Sequence, residues 1–335
     1  MMPHNRMTKP TSPLTRRRFI GIMGFCAGVT LLPFMAHAKT QRHQWSGVAL
    51  GARASMQLIH PDAATARHII HLAVQEIERL EAVFSLYRHE SALSKLNREG
   101  HLSAPPLELV ELLQRAKSIS HATNGLFDIT VQPLWQRYHR YYSAHPDAET
   151  PPPVDDILPL INWRAVRIDP ACISFDKPGM AITLNGIAQG YITDRVADLL
   201  KRNGIDRVLL DLGETRAMGL REDGRAWAVG VADPQAPARI SGHIECVDRA
   251  VATSGGYGLI FDAARRVSHL LNPHTGATLP AARSITVVAD QAATADAWST
   301  AFSLMKNKDI IKKAAQIDHL AVYQSDPVEG LKHLA

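Results

Sequence analysis

The chain has 335 residues, and its 37 Lys and Arg against 32 Asp and Glu give a formal charge of +5. That excess sits in residues 1–38, which hold Arg6, Lys9, Arg16, Arg17 and Arg18 and no acidic residue, so the rest carries 32 charges of each sign. A nucleic-acid binder places its basic stripe on the folded domain, so no nucleic-acid partner is expected. With 46% apolar and 21% charged residues, the chain is too hydrophobic for disorder and long enough for a sizeable core.

Thr15-Arg16-Arg17-Arg18-Phe19-Ile20 leads into an apolar run to about Ala36, then Ala36-His37-Ala38. A charged n-region, an apolar h-region and a small-x-small cleavage site make 1–38 an export signal. Paired arginines before Phe and Ile fit the twin-arginine class, whose machinery exports folded proteins. A cleaved, periplasmic protein is expected. The competing reading is an uncleaved anchor, but Gly21, Gly24, Gly28 and Pro33 break a run already at the short limit for spanning. Cys172 and Cys246 remain in the mature chain, either bridged or unpaired.

Downstream of Asp62, a suitable N-cap, Ile69, Ala73, Ile77, Leu80 and Phe84 repeat at helical spacing and predict a helix over 63–84. A second helix is expected from Pro106 to about His121, before the Asn124-Gly125 turn. Prolines at 146 and 151–153 make Ser143–Asp156 an exposed loop. Strands are expected at 171–175, 180–184, 208–212, 227–231 and 284–288, with a helix over 188–202 ending at Asn203-Gly204. Helices and strands mix along one chain without repeats, so a single α+β domain over 39–335 is expected.

Four stretches carry more polar and glycine detail than packing requires. Asn124–Pro133 sets Asp128 between Phe127 and a β-branched run; on its own that residue reads equally as a turn or cap. Ile182–Tyr191 runs through Asn185-Gly186 into a helix, a turn whose free N–H groups suit a phosphate but also occur without ligand. Thr253-Ser254-Gly255-Gly256, followed by His269 to Gly276, gives hydroxyls and a titratable group near turns, or simply two hairpins. In Ala292–Ala301, Asp296 and Thr300 stand four apart on one helical face. Carboxylate and hydroxyl oxygens suit Mg2+, though such a pair alone is often a local hydrogen bond.

Taken in order, these stretches resemble the ApbE family of FAD:protein FMN transferases over nearly the whole mature chain. Leu50-Gly51 resembles the opening Met-Gly-Thr, and Ser85-Leu86-Tyr87 with Ser91 to Asn97 resembles Ser-x-Tyr…Ser-x-x-Ser-x-x-Asn. Phe127–Val131 is similar to Phe-Asp-Pro-Thr-Val, Asn185–Gly190 to Gly-Gly-Ile-Ala-Lys-Gly, and His269–Pro273 to His-Ile-Ile-Asp-Pro. Ala252–Gly255 matches Ala-Thr-Ser-Gly, and Ala295-Asp296-Ala297 with Thr300 matches the metal-binding helix.

The resemblance implies mostly antiparallel sheets and an enzyme that splits FAD, its substrate. FMN goes to a Thr or Ser of a partner flavoprotein, and AMP is released. It implies Mg2+ held by Gly186, Asp296 and Thr300, with His269 and Asp296 catalytic. The FAD site would comprise Leu50, Tyr87, Leu126, Phe127, Asp128, Thr183, Gln189, Thr253, Ser254, Gly255 and Leu270. Family members commonly have Asp at Thr183, Lys at Gln189, Gly-Gly-Asp at Gly213-Glu214-Thr215 and Asp at Asn272. The export signal and these variants resemble a NosX-like branch, which implies maturation of a nitrous-oxide-respiration flavoprotein. An FAD pyrophosphatase using water, and a non-catalytic periplasmic FAD carrier, are the competing expectations.

Overall fold

The computed structural model describes residues 41–280, 282–326 and 329–335; the export signal expected at 1–38 lies outside them. Strands β1 (Gln41–Ala49) and β2 (Ala52–His60) pair as an antiparallel hairpin with Ala49 opposite Ala52. Its turn holds Leu50 at φ 46° and Gly51 at φ 82°, the left-handed pair of a type I′ turn. Leu50 is an unfavourable residue there, and the Glu81 carboxylate holds its N–H at 2.6 Å.

Helix α1 (Ala63–Phe84) matches the expected span. The Asp62 side chain accepts the Thr65 N–H at 2.6 Å, and the predicted stripe from Ile69 to Phe84 is buried. After α2 (Ala92–Glu99) and β3 (His101–Ser103), α3 (Leu107–Ala122) begins one residue later than expected, with Pro106 as its N-cap. Asn124 and Gly125 form the expected left-handed turn. Next come α4 (Gln132–Ala144), an irregular stretch over 145–157, and strands β4 (Val166–Ile168) and β5 (Cys172–Phe175).

The strand expected at 180–184 does not form. Asn97 takes both backbone groups of Ile182, accepting its N–H at 2.7 Å and donating to its carbonyl at 2.8 Å, while Thr183 N–H donates to Ile129 O. A side-chain carboxamide thus stands where a neighbouring strand would be. The chain continues with α5 (Ala188–Arg202), β6 (Val208–Asp211), β7 (Thr215–Met218), β8 (Trp227–Ala232), β9 (Ile240–Cys246) and β10 (Ala250–Gly255). It ends with β11 (Ser284–Ala289), α6 (Ala292–Ser303), α7 (Asn307–Ala314), β12 (Ala321–Asp326) and β13 (Gly330–His333).

Eight strands form one antiparallel sheet in the order β1-β2-β6-β7-β10-β11-β12-β13. Side chains alternate across it. Val208, Leu210, Ala252, Ile285 and Val287 pack into a core with α1, α5 and α6, while Leu209, Val251 and Val288 pack against the β8–β9 hairpin. The fold is therefore three layers, helices over a sheet over a hairpin, and the α+β expectation stands. Cys172 on β5 and Cys246 on β9 are free thiols.

Helices α5 and α6 meet at Gly190, where an added Cβ would lie 2.4 Å from Ala292 O. Only glycine permits that approach, so Gly190→Val is expected to destabilise the protein by about 1–3 kcal/mol through overpacking. Urea denaturation measures this, and an unchanged midpoint contradicts the close contact.

Candidate active site

The helix-facing end of the sheet opens into a cavity of about 220 Å³. Its walls come from the β1–β2 turn, the loop after α1, the turn before α4, residues 183–189, the β6–β7 turn, β10, the loop 257–273 and α6. Every residue that the resemblance assigned to the FAD, metal or catalytic site lines it. Leu50 comes from the hairpin tip, Tyr87 from the end of α1, and Leu126, Phe127 and Asp128 from the turn before α4. Thr183, Gly186 and Gln189 approach along the start of α5; Thr253, Ser254 and Gly255 end β10; His269 and Leu270 close one side; Asp296 and Thr300 project from α6.

Helix α6 is seated by α5. Its own N-cap, Gln291, makes no side-chain capping bond. Instead the Asp194 carboxylate accepts the N–H groups of Ala292 (2.8 Å) and Ala293 (2.9 Å) and pairs with Arg216 at 2.6 Å. This satisfies orphan donors of the helix start from a neighbouring element. One turn on, Asp296 Oδ2 accepts the Gly190 N–H at 3.1 Å. Ser254 Oγ lies 2.7 Å from Ser299 Oγ and 3.1 Å from Thr300 Oγ1. A Cβ on Gly186 would sit 2.9 Å from Thr300 Oγ1, so glycine lets that backbone reach the α6 hydroxyl. The carboxylate, the hydroxyl and the Gly186 backbone therefore converge.

Asp128 lies on the cavity wall, and its carboxylate is engaged locally. It accepts from Thr130 N (2.8 Å) and Thr130 Oγ1 (2.6 Å), and from Trp163 N (3.1 Å), capping the turn that leads into α4. Burial pushes its pKa up against these bonds. His269 Nδ1 lies 3.1 Å from Leu259 O and 3.3 Å from Leu259 N; the tautomer that donates to the carbonyl leaves Nε2 as the free acceptor. Burial lowers the His269 pKa, opposed by the Leu259 bond, and so favours neutral imidazole.

Sequence reasoning did not assign Glu214, although Gly213-Glu214-Thr215 stood out as a variant. Glu214 is 8% exposed and lines the cavity beside Asp296, which is 3% exposed. Burial raises the pKa of both; the Asp296 and Asp211 charges raise Glu214 further, while the Gly190 N–H opposes the Asp296 shift. Burial also pushes Asp211 up to about 6. Among the described residues no Lys or Arg lines the cavity, whose titratable walls include Asp128, Glu214, Asp296 and His269. Gln189, where a lysine would supply charge, lays its carboxamide against Gly213. Trp135 and Tyr257 also line the cavity and were not assigned; as isolated aromatics, they gave no signal separating a wall from a core.

The ApbE family model matches residues 50–324, and the chain belongs to that family. It is 29% identical over 305 residues to the FAD:protein FMN transferase of Vibrio cholerae, spanning 87% of this chain and 89% of that one. The FAD:protein FMN transferase of Escherichia coli K12 is 27% identical over 272 residues, 74% of each chain. Flavin transferase ApbE from Vibrio cholerae has a similar structure: TM-score 0.73 at 26% identity, over 88% of this chain and 96% of that one. The ApbE protein of Thermotoga maritima gives TM-score 0.75 at 25% identity, over 88% and 97%.

The buried Asp296 carboxyl has a sign-determined consequence. Its folded pKa is raised, so the folded state holds a proton that the unfolded state has lost, and stability falls as pH rises above about 4. Asp296→Asn is expected to flatten that decline in metal-free protein between about pH 4 and neutrality. Urea midpoints across the range test it; an unchanged slope refutes the assignment.

Proposed function

We propose that the protein is an FAD:protein FMN transferase, attaching FMN through a phosphoester to a Thr or Ser of a flavoprotein. The observation that carries this reading is an acidic cavity with no Lys or Arg among its described lining residues, formed by a chain whose relatives are named for that activity. A pyrophosphate entering such a cavity needs a cation from outside the protein. The buried Asp296 carboxylate, the Thr300 hydroxyl and the adjoining Gly186 backbone fit Mg2+, which accepts one or two carboxylates plus substrate phosphates. Bound there, Mg2+ would offset the charge of the pyrophosphate and of the developing leaving group.

The chain's own groups account for the remaining steps. Tyr87, Leu126, Phe127 and Leu270 offer apolar wall to the flavin and adenine rings, and Thr253, Ser254 and Gln189 offer neutral polar groups. His269 Nε2 takes the proton of the acceptor hydroxyl. The hydroxyl oxygen bonds to the FMN phosphorus, the bond from that phosphorus to the bridging oxygen breaks, and AMP departs with the electron pair. The expected export signal makes the reaction periplasmic, following twin-arginine export; the NosX-like variants suggest a nitrous-oxide-respiration flavoprotein as the target.

Mass spectrometry of a candidate flavoprotein incubated with mature protein, FAD and Mg2+ is expected to show added FMN on Thr or Ser. Asp296→Ala should abolish the addition while preserving the fold. An unmodified target with accumulating FMN and AMP identifies a pyrophosphatase instead, and stoichiometric FAD binding without turnover identifies a carrier. His269→Ala should slow transfer by about 100-fold or more. With the lowered pKa, imidazole stays a competent base as pH falls, so the acid limb of the wild-type rate should lie below about pH 6.5. An unchanged rate across pH in the variant excludes His269 as base.

A further inference from the structure

A second depression of about 770 Å³ adjoins the cavity. Three chain segments pass from one to the other. Leu86 and Tyr87 line this groove, and Tyr87 also lines the cavity. Gln132 and Gln136 line the groove while their neighbours Val131 and Trp135 line the cavity; Met180 and Ala181 line the groove while Thr183 and Asn185 line the cavity. The two spaces therefore share walls and meet at Tyr87, which is 54% exposed.

Three features of the groove point to a ligand. Gln132 is only 6% exposed, lines the groove, and its carboxamide has no hydrogen-bond partner among the described residues. Solvent reaches its polar atoms, so they are open to a partner that enters the groove. Ala181, on the facing segment, likewise has a backbone N–H and C=O without partners among the described residues. On the rim, Lys177 donates to Pro159 O at 3.0 Å and has no carboxylate partner among the described residues. The fold already shows what such a carboxamide recognises: Asn97, another groove residue, grips the Ile182 peptide by accepting its N–H and donating to its carbonyl.

We propose that this groove docks a main-chain segment of the acceptor protein, with the Gln132 carboxamide and the Ala181 backbone reading its peptide groups. An acidic side chain of that segment faces Lys177, and its Thr or Ser hydroxyl passes Tyr87 into the cavity. The assignment rests on the transferase reading, since only that reaction brings a protein hydroxyl to the site. Main-chain bonds supply affinity that tolerates varied sequence, while the rim charge selects among segments.

The test uses two fluorescently labelled synthetic peptides with a central threonine, one flanked by aspartates and the other by lysines. Their binding to mature protein is read by anisotropy, FAD binding by flavin fluorescence, and FMN addition by peptide mass. The aspartate peptide is expected to bind at least about tenfold tighter than the lysine peptide and to acquire FMN. Gln132→Leu and Lys177→Glu should each weaken its binding by about tenfold, with FAD affinity held within about twofold. Equal binding of both peptides, or unaltered binding in both variants, overturns the groove assignment even when FAD is bound and split. Protein that neither binds nor splits FAD overturns the transferase reading itself, and the inference falls with it.

Discussion

The contact between α5 and α6 across Gly190 is the constraint on which the cavity depends. A side chain there would collide with the Ala292 carbonyl, and separating the helices would undo two further interactions. Asp194 would lose the N–H groups that it caps at the start of α6, and Asp296 would lose the Gly190 N–H. Both fix the rotation and depth of α6, which carries Asp296 and Thr300 on one face. The glycine therefore acts through geometry: it sets how deeply a carboxylate is buried, and with that its affinity for protons and cations.

Charge decides how the cavity can work. Two buried carboxyls lie side by side with no Lys or Arg lining their cavity among the described residues, an arrangement that folding does not favour by itself. Burial pushes both pKa values up and the Asp296 charge raises Glu214 further, which favours the protonated forms and limits the cost. Such a site is costly for folding yet suited to a ligand that brings its own positive charge. Gln189 sharpens the point, because a lysine at that position would neutralise the site permanently. The variant motifs noted in the sequence thus alter the charge balance while leaving the shape of the family fold.

The parts of the fold legible in the sequence were those specified locally. The α1 span followed from Asp62 and an unbroken three-to-four spacing, and α5 from its apolar face and the Asn203-Gly204 stop. The strand expected at 180–184 failed because Asn97, distant in sequence, satisfies Ile182 in place of a neighbouring strand. β1 was missed because it is an edge strand whose residues are largely exposed or half-buried, giving no apolar alternation. The site residues became legible through ordered motifs rather than through any residue alone. Glu214 and Gln132 stayed hidden for a physical reason: the significance of Glu214 is its burial beside Asp296, that of Gln132 is a carboxamide left without a protein partner among the described residues, and a sequence shows neither.

A cation held at this corner would also couple two ligands thermodynamically. With Mg2+ held by Asp296 and Thr300, the ion would supply the charge that the walls withhold from the dinucleotide, and each ligand would strengthen binding of the other. The factor by which one raises the affinity of the other must then be reciprocated in full. Flavin uptake would then depend on the ambient divalent-ion concentration, with the two species meeting at the Asp296–Thr300 corner. An acidic wall would thereby make the loading of ion and dinucleotide cooperative through charge alone.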